Sequence, residues 1–224
     1  LADIASMQIE LSSVLDDNFF KQQADSINPS LATVRQTNIG AAPDTVYLTT
    51  ADESGMMVSM IQSNFRGFGS GIVVPNTGIS LQNRGSGFSL ESGHPNQVAG
   101  NKRPYHTIIP AFVMSNNQPK MSFGVMGGHM QAQGHLQMMV RVIQHGQNPQ
   151  TASDAPRWYL QEDGTVCIEN GFATEVIDSL KARGHTLIEN NPEHLFGGAQ
   201  LIYRLADGYC AGSDHRKEGQ AAGF

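Results

Sequence analysis

Between residues 45 and 62 the chain commits to a two-residue period, and that commitment constrains the fold more than any other feature. Val46, Leu48 and Thr50 alternate with Tyr47 and Thr49, "DESG" at 52–55 supplies a turn, and residues 56–62 run back. Such alternation is the mark of half-buried strands, so the segment predicts an antiparallel hairpin. Upstream the character is different. Ile4, Met7, Leu11, Val14 and Leu15 recur at helical spacing, which predicts helix within residues 1–27. Pro29 and a polar stretch up to Asp44 then predict a loop. Thr45 opens the hairpin at the boundary.

The rest of the chain continues in short elements. "GSGIVVPNTGISLQN" (69–83) predicts two short strands broken by Pro75 and Gly78. Residues 84–104 are rich in Gly, Ser and Pro and predict a long loop, a feature that usually serves function. Residues 106–128 predict a second hairpin turning at 116–119. A helix is expected over 131–145 with Leu136, Met139, Val140 and Ile143 facing inward. A short helix is expected within 148–156 and a small hairpin around Gly164. Another helix is expected over 174–183, with Val176, Ile177 and Leu180 inward and Gly184 as its stop. The last hairpin, 199–213, turns at Asp207 and Gly208. Strands followed by helices and then strands predict an α+β sandwich of stacked sheets with helices outside.

Composition narrows the function. A net charge of −6 with 14 Lys and Arg excludes the basic surface of a nucleic-acid binder. No apolar run is long enough to span a bilayer. Cys167 and Cys210 lack metal-ligand spacing and read as two buried free thiols. His129 and His135 stand six apart and HExxH is absent, so no metal is expected. The chain opens on Leu1 with no visible signal peptide, which is expected of a fragment or a processed product.

Two stretches carry candidate chemistry. A threonine hydroxyl needs an adjacent base to act as a nucleophile, and an N-terminal threonine supplies one in its own α-amine. Thr45 stands where such a residue would stand; the plain alternative is a half-buried β-former. In "GVMGGHMQ" (124–131) an apolar strand ends at Gly127 and Gly128 before a helix, so bare backbone N–H groups near a helix terminus can hold an oxyanion. The alternative is a turn that needs glycine.

Taken together, "DTVYLTTADESG", "FGSGIVVPNTGISLQN", "NKRPYHTIIPAFV", "GVMGGHMQ", "DAPRW" and "GSDHRKEGQAAGF" resemble the γ-glutamyltransferase family, including its cephalosporin-acylase-like branch, in order and spacing across residues 45–224. The resemblance implies an N-terminal-nucleophile hydrolase with an αββα four-layer sandwich and no cofactor. It implies a precursor that cuts itself between Asp44 and Thr45, so that 1–44 are the tail of a large subunit and 45–224 the small subunit. The partners implied are that large subunit and a small-molecule γ-glutamyl or acyl amide. The implied compartment is periplasmic or secreted, with a cytoplasmic one left open. Asp52 and Gly55 anchor the register and disfavour Thr49 and Thr50 as the nucleophile.

Residue by residue, Ser63 falls where the family has a second hydroxyl that hydrogen-bonds the nucleophile, and Gly127 and Gly128 match its paired-glycine oxyanion hole. His106 and Thr107 fall where γ-glutamyl enzymes carry two serines that hold the substrate α-carboxylate. The sequence departs from the pattern twice: Gly87 replaces an aspartate that binds the substrate amine, and Phe65 replaces an asparagine. Arg84 adds a cation that favours an acidic acyl chain without an amine, such as glutaryl, or else braces its loop.

Overall fold

The computed structural model describes residues 2–33 and 44–224, with Asp44 described by its backbone alone. Residues 34–43, most of the loop expected before the hairpin, lie outside the described residues. Strands β1 (Asp44–Ala51) and β2 (Met57–Phe65) form the first hairpin. Strands β3 (Ala111–Ser115) and β4 (Gln118–Met126) form the second, which β8 (Gly198–Arg204) and β9 (Tyr209–Ser213) extend into an antiparallel sheet ordered β3-β4-β8-β9. The β3–β4 turn is tighter than expected. Only Asn116 and Asn117 separate the strands, at φ of 50° and 58°, a pairing whose twist matches that of the flanking strands.

The alternation along β4 builds the layers. Met121, Phe123 and Val125 point to one face, where they meet Ala199 and Leu201 of β8. Helix α3 (Met130–Met139) and helix α4 (Pro149–Asp154) cover that face with Met138, Val142 and Ala152. Burying each large apolar side chain there stabilises by about 1.5–3 kcal/mol. Ser122 and Gly124 point to the opposite face, and the first hairpin lies over them. Thr49 Oγ1 hydrogen-bonds Ser122 Oγ, and the Tyr47 ring fills the space above Gly124. A side chain at 124 would force that ring aside, because its Cβ would stand 2.4 Å from it. Helix, sheet and hairpin make three of the four layers of an αββα sandwich. The outer face of the hairpin carries Val46, Leu48, Val58 and Met60, all exposed among the described residues.

A smaller sheet, β5 (Trp158–Leu160), β6 (Val166–Ile168) and β7 (Leu187–Ile188), stands beside α3, with helix α5 (Thr174–Ala182) between β6 and β7. The two-residue β7, parallel to β6, had no signal in the sequence. Gly184, at φ 95°, ends α5 as expected, but Val176 is exposed and only Ile177 and Leu180 are half-buried.

Three further expectations are corrected. The helix expected in 1–27 is broken into a 3-10 turn, Ile4–Ser6, and helices α1 (Leu11–Val14) and α2 (Asp17–Asp25). The break has a local cause, because the Asp16 carboxylate accepts from the N–H groups of Asn18 and Phe19 and so starts a new helix. The two strands expected in 69–83 reduce to a single bridge between Val73 and Ser80, since Asn76 and three glycines hold left-handed backbone there. The inward face of α3 and its π-helical continuation (Val140–Gln144) is Met130, Gly134, Met138 and Val142, while Leu136 and Ile143 are exposed. Hydrogen-bonded glutamines reverse the reading. Gln133 and Gln137 bond backbone groups of Leu160 and Trp158, and Gln131 Oε1 accepts from Ile109 N. Cys167 is a buried free thiol, and Cys210 is free but only half-buried.

Candidate active site

β1 lies across β4 with a fixed step: Thr49 meets Ser122 and Tyr47 meets Gly124. Thr45 lies two residues before Tyr47, at the start of β1. At this end the β1–β2 ladder is irregular. Thr45 pairs with Ser63 and Asp44 with Phe65, so Asn64 is an extra residue and a bulge falls at the Asp44–Thr45 junction. Thr45 Oγ1 donates to Ser63 Oγ at 3.1 Å, and Ser63 Oγ accepts a second bond from Phe65 N at 2.9 Å. The hydroxyl of Thr45 is thereby aimed by Ser63, and Ser63 is aimed by the bulge. Phe65 has φ 78°, a left-handed conformation unfavourable for a bulky residue, and it is buried.

At the end of β4 the backbone turns through Gly127 (φ 118°) and Gly128 (φ 59°) into α3. A Cβ on Gly127 would come within 2.9 Å of Gly197 Cα. Carbonyls of Gly127 and Gly128 accept from Met130 N and Gln131 N and so start the helix. Their own N–H groups donate to no acceptor among the described residues. Two uncommitted amides at a helix N-terminus suit a developing negative charge.

The third component is the 84–107 segment. Asn83 fastens it to the end of β2: its N–H donates to Asn64 O, its Oδ1 accepts from Arg66 N, and its Nδ2 donates to Gly69 O. A 3-10 turn, Arg84–Gly87, follows. Buried Asn96 clamps that turn to residue 105, donating to Gly87 O at 2.6 Å and accepting from Tyr105 N at 3.2 Å. Arg84 is 2% exposed; its Nη1 donates to Thr107 Oγ1 at 3.1 Å, and its guanidinium lies 5.1 Å from the Phe65 ring centroid. The Tyr105 ring stacks on His129, next to Gly128, at 5.9 Å. Burial lowers the His129 pKa, with Glu162 opposing and Arg66 adding to the effect. His106 is exposed; partial desolvation and the Arg84 charge both hold its imidazole below its usual value.

The structure therefore brings Thr45 and Ser63 together, joins Arg84 to Thr107, and ties the latter pair to the bulge through Phe65. His106 lies near enough to Arg84 to feel its charge. Gly87 has room for a side chain, since a Cβ there would meet only Tyr105 O, at 3.7 Å. Asn83, Asn96 and the Tyr105–His129 stack went unread in the sequence. Asn83 stands just before the turn it starts; nothing local marks Asn96.

Comparison with known proteins gives the family. Residues 1–224 match the family model described as gamma-glutamyltranspeptidase. Over the whole chain the sequence is 35% identical to a glutathione hydrolase-like proenzyme, YwrD, of Bacillus subtilis. It is 34% identical to an oxamate amidohydrolase proenzyme of Klebsiella pneumoniae. The chain spans 44% of the length of each of these relatives. Among solved structures, the cephalosporin acylase of Bacillus halodurans superposes at a TM-score of 0.89 with 42% identity, over 100% of this chain and 41% of that one. A gamma-glutamyltranspeptidase of Helicobacter pylori superposes at 0.68 with 26% identity, over 76% of this chain and 99% of that one. A match along its full length, with relatives above 30% identity throughout, means that the chain belongs to the gamma-glutamyltranspeptidase family.

Proposed function

We propose that this chain carries the catalytic half of a self-processing amide hydrolase and acyltransferase, with Thr45 as its nucleophile. The observation that supports this most is the 3.1 Å bond from Thr45 Oγ1 to Ser63 Oγ at a bulge on the Asp44–Thr45 junction. In processing, Thr45 Oγ1 attacks the Asp44 carbonyl, and the peptide nitrogen leaves as the α-amine of Thr45. Water then opens the Asp44 ester. Residues 1–44 become the tail of a large subunit that stays associated with 45–224. The freed α-amine, with an ordinary pKa of about 7.7–8.0, takes the hydroxyl proton during turnover. Thr45 then attacks the substrate amide, the N–H groups of Gly127 and Gly128 hold the oxyanion, and the acyl-enzyme passes to water or an amine.

The test is N-terminal sequencing of the active protein made from its complete precursor, where the small chain should begin Thr-Val-Tyr-Leu. Thr45→Ala should remain one chain and form no acyl-enzyme. Full activity in an uncleaved chain would overturn the proposal, whereas an uncleaved chain without activity would favour a non-catalytic paralogue that uses the same cleft for binding. Gly128→Val should lower turnover by about 10²–10³, the scale for one oxyanion donor.

By family default the substrates are γ-glutamyl amides such as glutathione. Gly87 favours a second reading, a glutaryl or cephalosporin side-chain amidase, because it supplies no carboxylate for a substrate ammonium group. The oxamate amidohydrolase among the relatives is consistent with this, because the acyl group of oxamate carries a carboxylate and no amine. Paired γ-glutamyl and glutaryl anilides decide the matter. A ratio of kcat/KM well below the ten- to hundredfold of a paired amine is expected, since such a contact is worth about 1.5–3 kcal/mol. A γ-glutamyl preference above a hundredfold would restore glutathione-type substrates.

A further inference from the structure

The amides assigned to the oxyanion belong to a glycine pair, and a glycine pair does not hold its own shape. Gly127 and Gly128 take φ of 118° and 59°, and neither carries a side chain that would limit the swing of its N–H. Donors that stabilise a developing charge must already point at it, so their direction has to be fixed from outside. The helix supplies one restraint, since Gly128 O accepts from Gln131 N at 3.1 Å.

Gln131 supplies another. It is fully buried, and its Oε1 accepts from Ile109 N at 2.9 Å, so one residue ties the oxyanion turn to the segment that leads into β3. One helical turn later, His135 Nε2 faces Ile109 O at 2.9 Å. Residues four apart share a helix face, and here they take both polar groups of Ile109 between them. His135 Nδ1 lies against Gln131 O, but that carbonyl already accepts the helical bond of His135 N. Ile109 O has no other donor among the described residues. Burial lowers the pKa of the ring more than the two carbonyls raise it, so at about pH 7 the imidazole carries one N–H, and Ile109 O is the acceptor that needs it. The same segment touches the turn once more where the Tyr105 ring stacks on His129.

The other glutamines of α3 set a contrast. Gln133 and Gln137 each commit both ends of the amide to one residue of β5, Leu160 and Trp158 in turn, which docks the helix on that strand. Gln131 leaves its Nε2 buried without a partner among the described residues. A methionine would fill the same space without that unpaired donor, so what the glutamine contributes is its acceptor, and Ile109 takes it.

We propose that Gln131 and His135 are positioning residues for the oxyanion site: by gripping Ile109 they set the first turn of α3, and with it the direction of the Gly127 and Gly128 amides. The proposal rests on those amides holding the oxyanion, but the grip itself is measurable without turnover. The experiment uses the processed two-chain protein from its complete precursor, assayed with γ-glutamyl and glutaryl anilides. Gln131→Met and His135→Leu should each lower kcat by about ten- to a hundredfold, the scale for a misplaced catalytic group, and leave KM within about threefold. His135→Gln should recover most of the loss, because a glutamine Nε2 reaches the place of the imidazole Nε2. Gln133→Leu is the control on the same helix, and it should lower the unfolding midpoint while changing kcat by less than about threefold.

Amide hydrogen exchange reads the grip directly. The Ile109 amide should exchange slowly in the wild-type protein, and the peptide covering 127–131 should exchange faster in His135→Leu and recover in His135→Gln. Fast exchange at Ile109 in the wild-type protein overturns the proposal, and that measurement needs no variant to fold. Unchanged kcat in Gln131→Met and His135→Leu, no rescue by His135→Gln, or an equal loss in Gln133→Leu overturns it as well and leaves these side chains as helix packing alone. A wild-type protein that cleaves neither anilide sinks the hydrolase reading, and the oxyanion role with it, even where exchange shows Ile109 held.

Discussion

Strands β2 and β4 are both nine residues long, and they live in opposite circumstances. The last six residues of β4 are all buried, with helices on one side and a hairpin on the other. β2 alternates, with Val58 and Met60 open to solvent on the face away from β4. The four-stranded sheet thus carries its own cover, whereas the hairpin that holds Thr45 and Ser63 is covered on one side only. Thr45 and Ser63 sit on the less self-sufficient of the two sheets. The relatives are more than twice as long, and a bare apolar sheet face of this kind is a candidate surface for further chain.

The closed sheet is the place where one substitution does most. Arg157, Asp214, Arg216 and Glu169 form a buried network that ties the residues after β9 back to the segment before β5. Asp214 Oδ2 also accepts from Ala199 N at 2.7 Å, so it holds β8 directly. Asp214→Asn should cost about 3–5 kcal/mol, since it leaves a buried guanidinium uncompensated. Urea unfolding measures it, and a loss below about 1 kcal/mol would show that the network does not hold this sheet. The same pair makes stability depend on acid. Burial pushes the Asp214 carboxyl up, but Arg157, Arg216 and two backbone N–H groups outweigh it and bring it below 3.8. A depressed carboxyl stabilises above its unfolded value and loses that contribution as pH falls through the folded one. Wild-type stability should therefore drop as pH falls below about 4 more steeply than that of Asp214→Asn, and parallel profiles would contradict this.

The seam between the two sheets comes next. Gly124→Ala places a Cβ against the Tyr47 ring and should cost about 1–3 kcal/mol by overpacking. Because the strain falls on β1, processing at Asp44 should slow by a larger factor than the unfolding midpoint moves. Equal effects on both would mean that hairpin and sheet respond as one body. The open face should respond least. Met60→Ser in the complete processed protein should cost about 1 kcal/mol, the remaining half of that side chain's burial against the rest of the precursor. A change within 0.5 kcal/mol would mean that solvent is the natural neighbour of this face.

Much of this was legible locally. The period-two alternation from Thr45, the asparagine pair at 116 and 117, the Gly127–Gly128 stop and the end of α5 at Gly184 are decided by backbone preference over a few residues, and a sequence displays such preferences openly. The break at Asp16 was legible too, since a capping aspartate starts a helix wherever it stands, but the apolar spacing around it masked the signal.

Tertiary structure alone decided which face of α3 turned inward. Apolar residues lie all round that helix, and the outcome depended on glutamines finding backbone partners in a strand some twenty residues away. It also decided that Phe65 adopts a left-handed conformation, that Arg84 comes to rest on its ring with one edge free, and that Thr107 steers it. Those positions are 19 and 23 residues apart and no periodicity links them. Thr45 could be picked out in the sequence because the chemistry proposed for it lies in one residue at one boundary; the unpaired charge of Arg84 could not, because an arginine's meaning depends on what it has been denied as a partner.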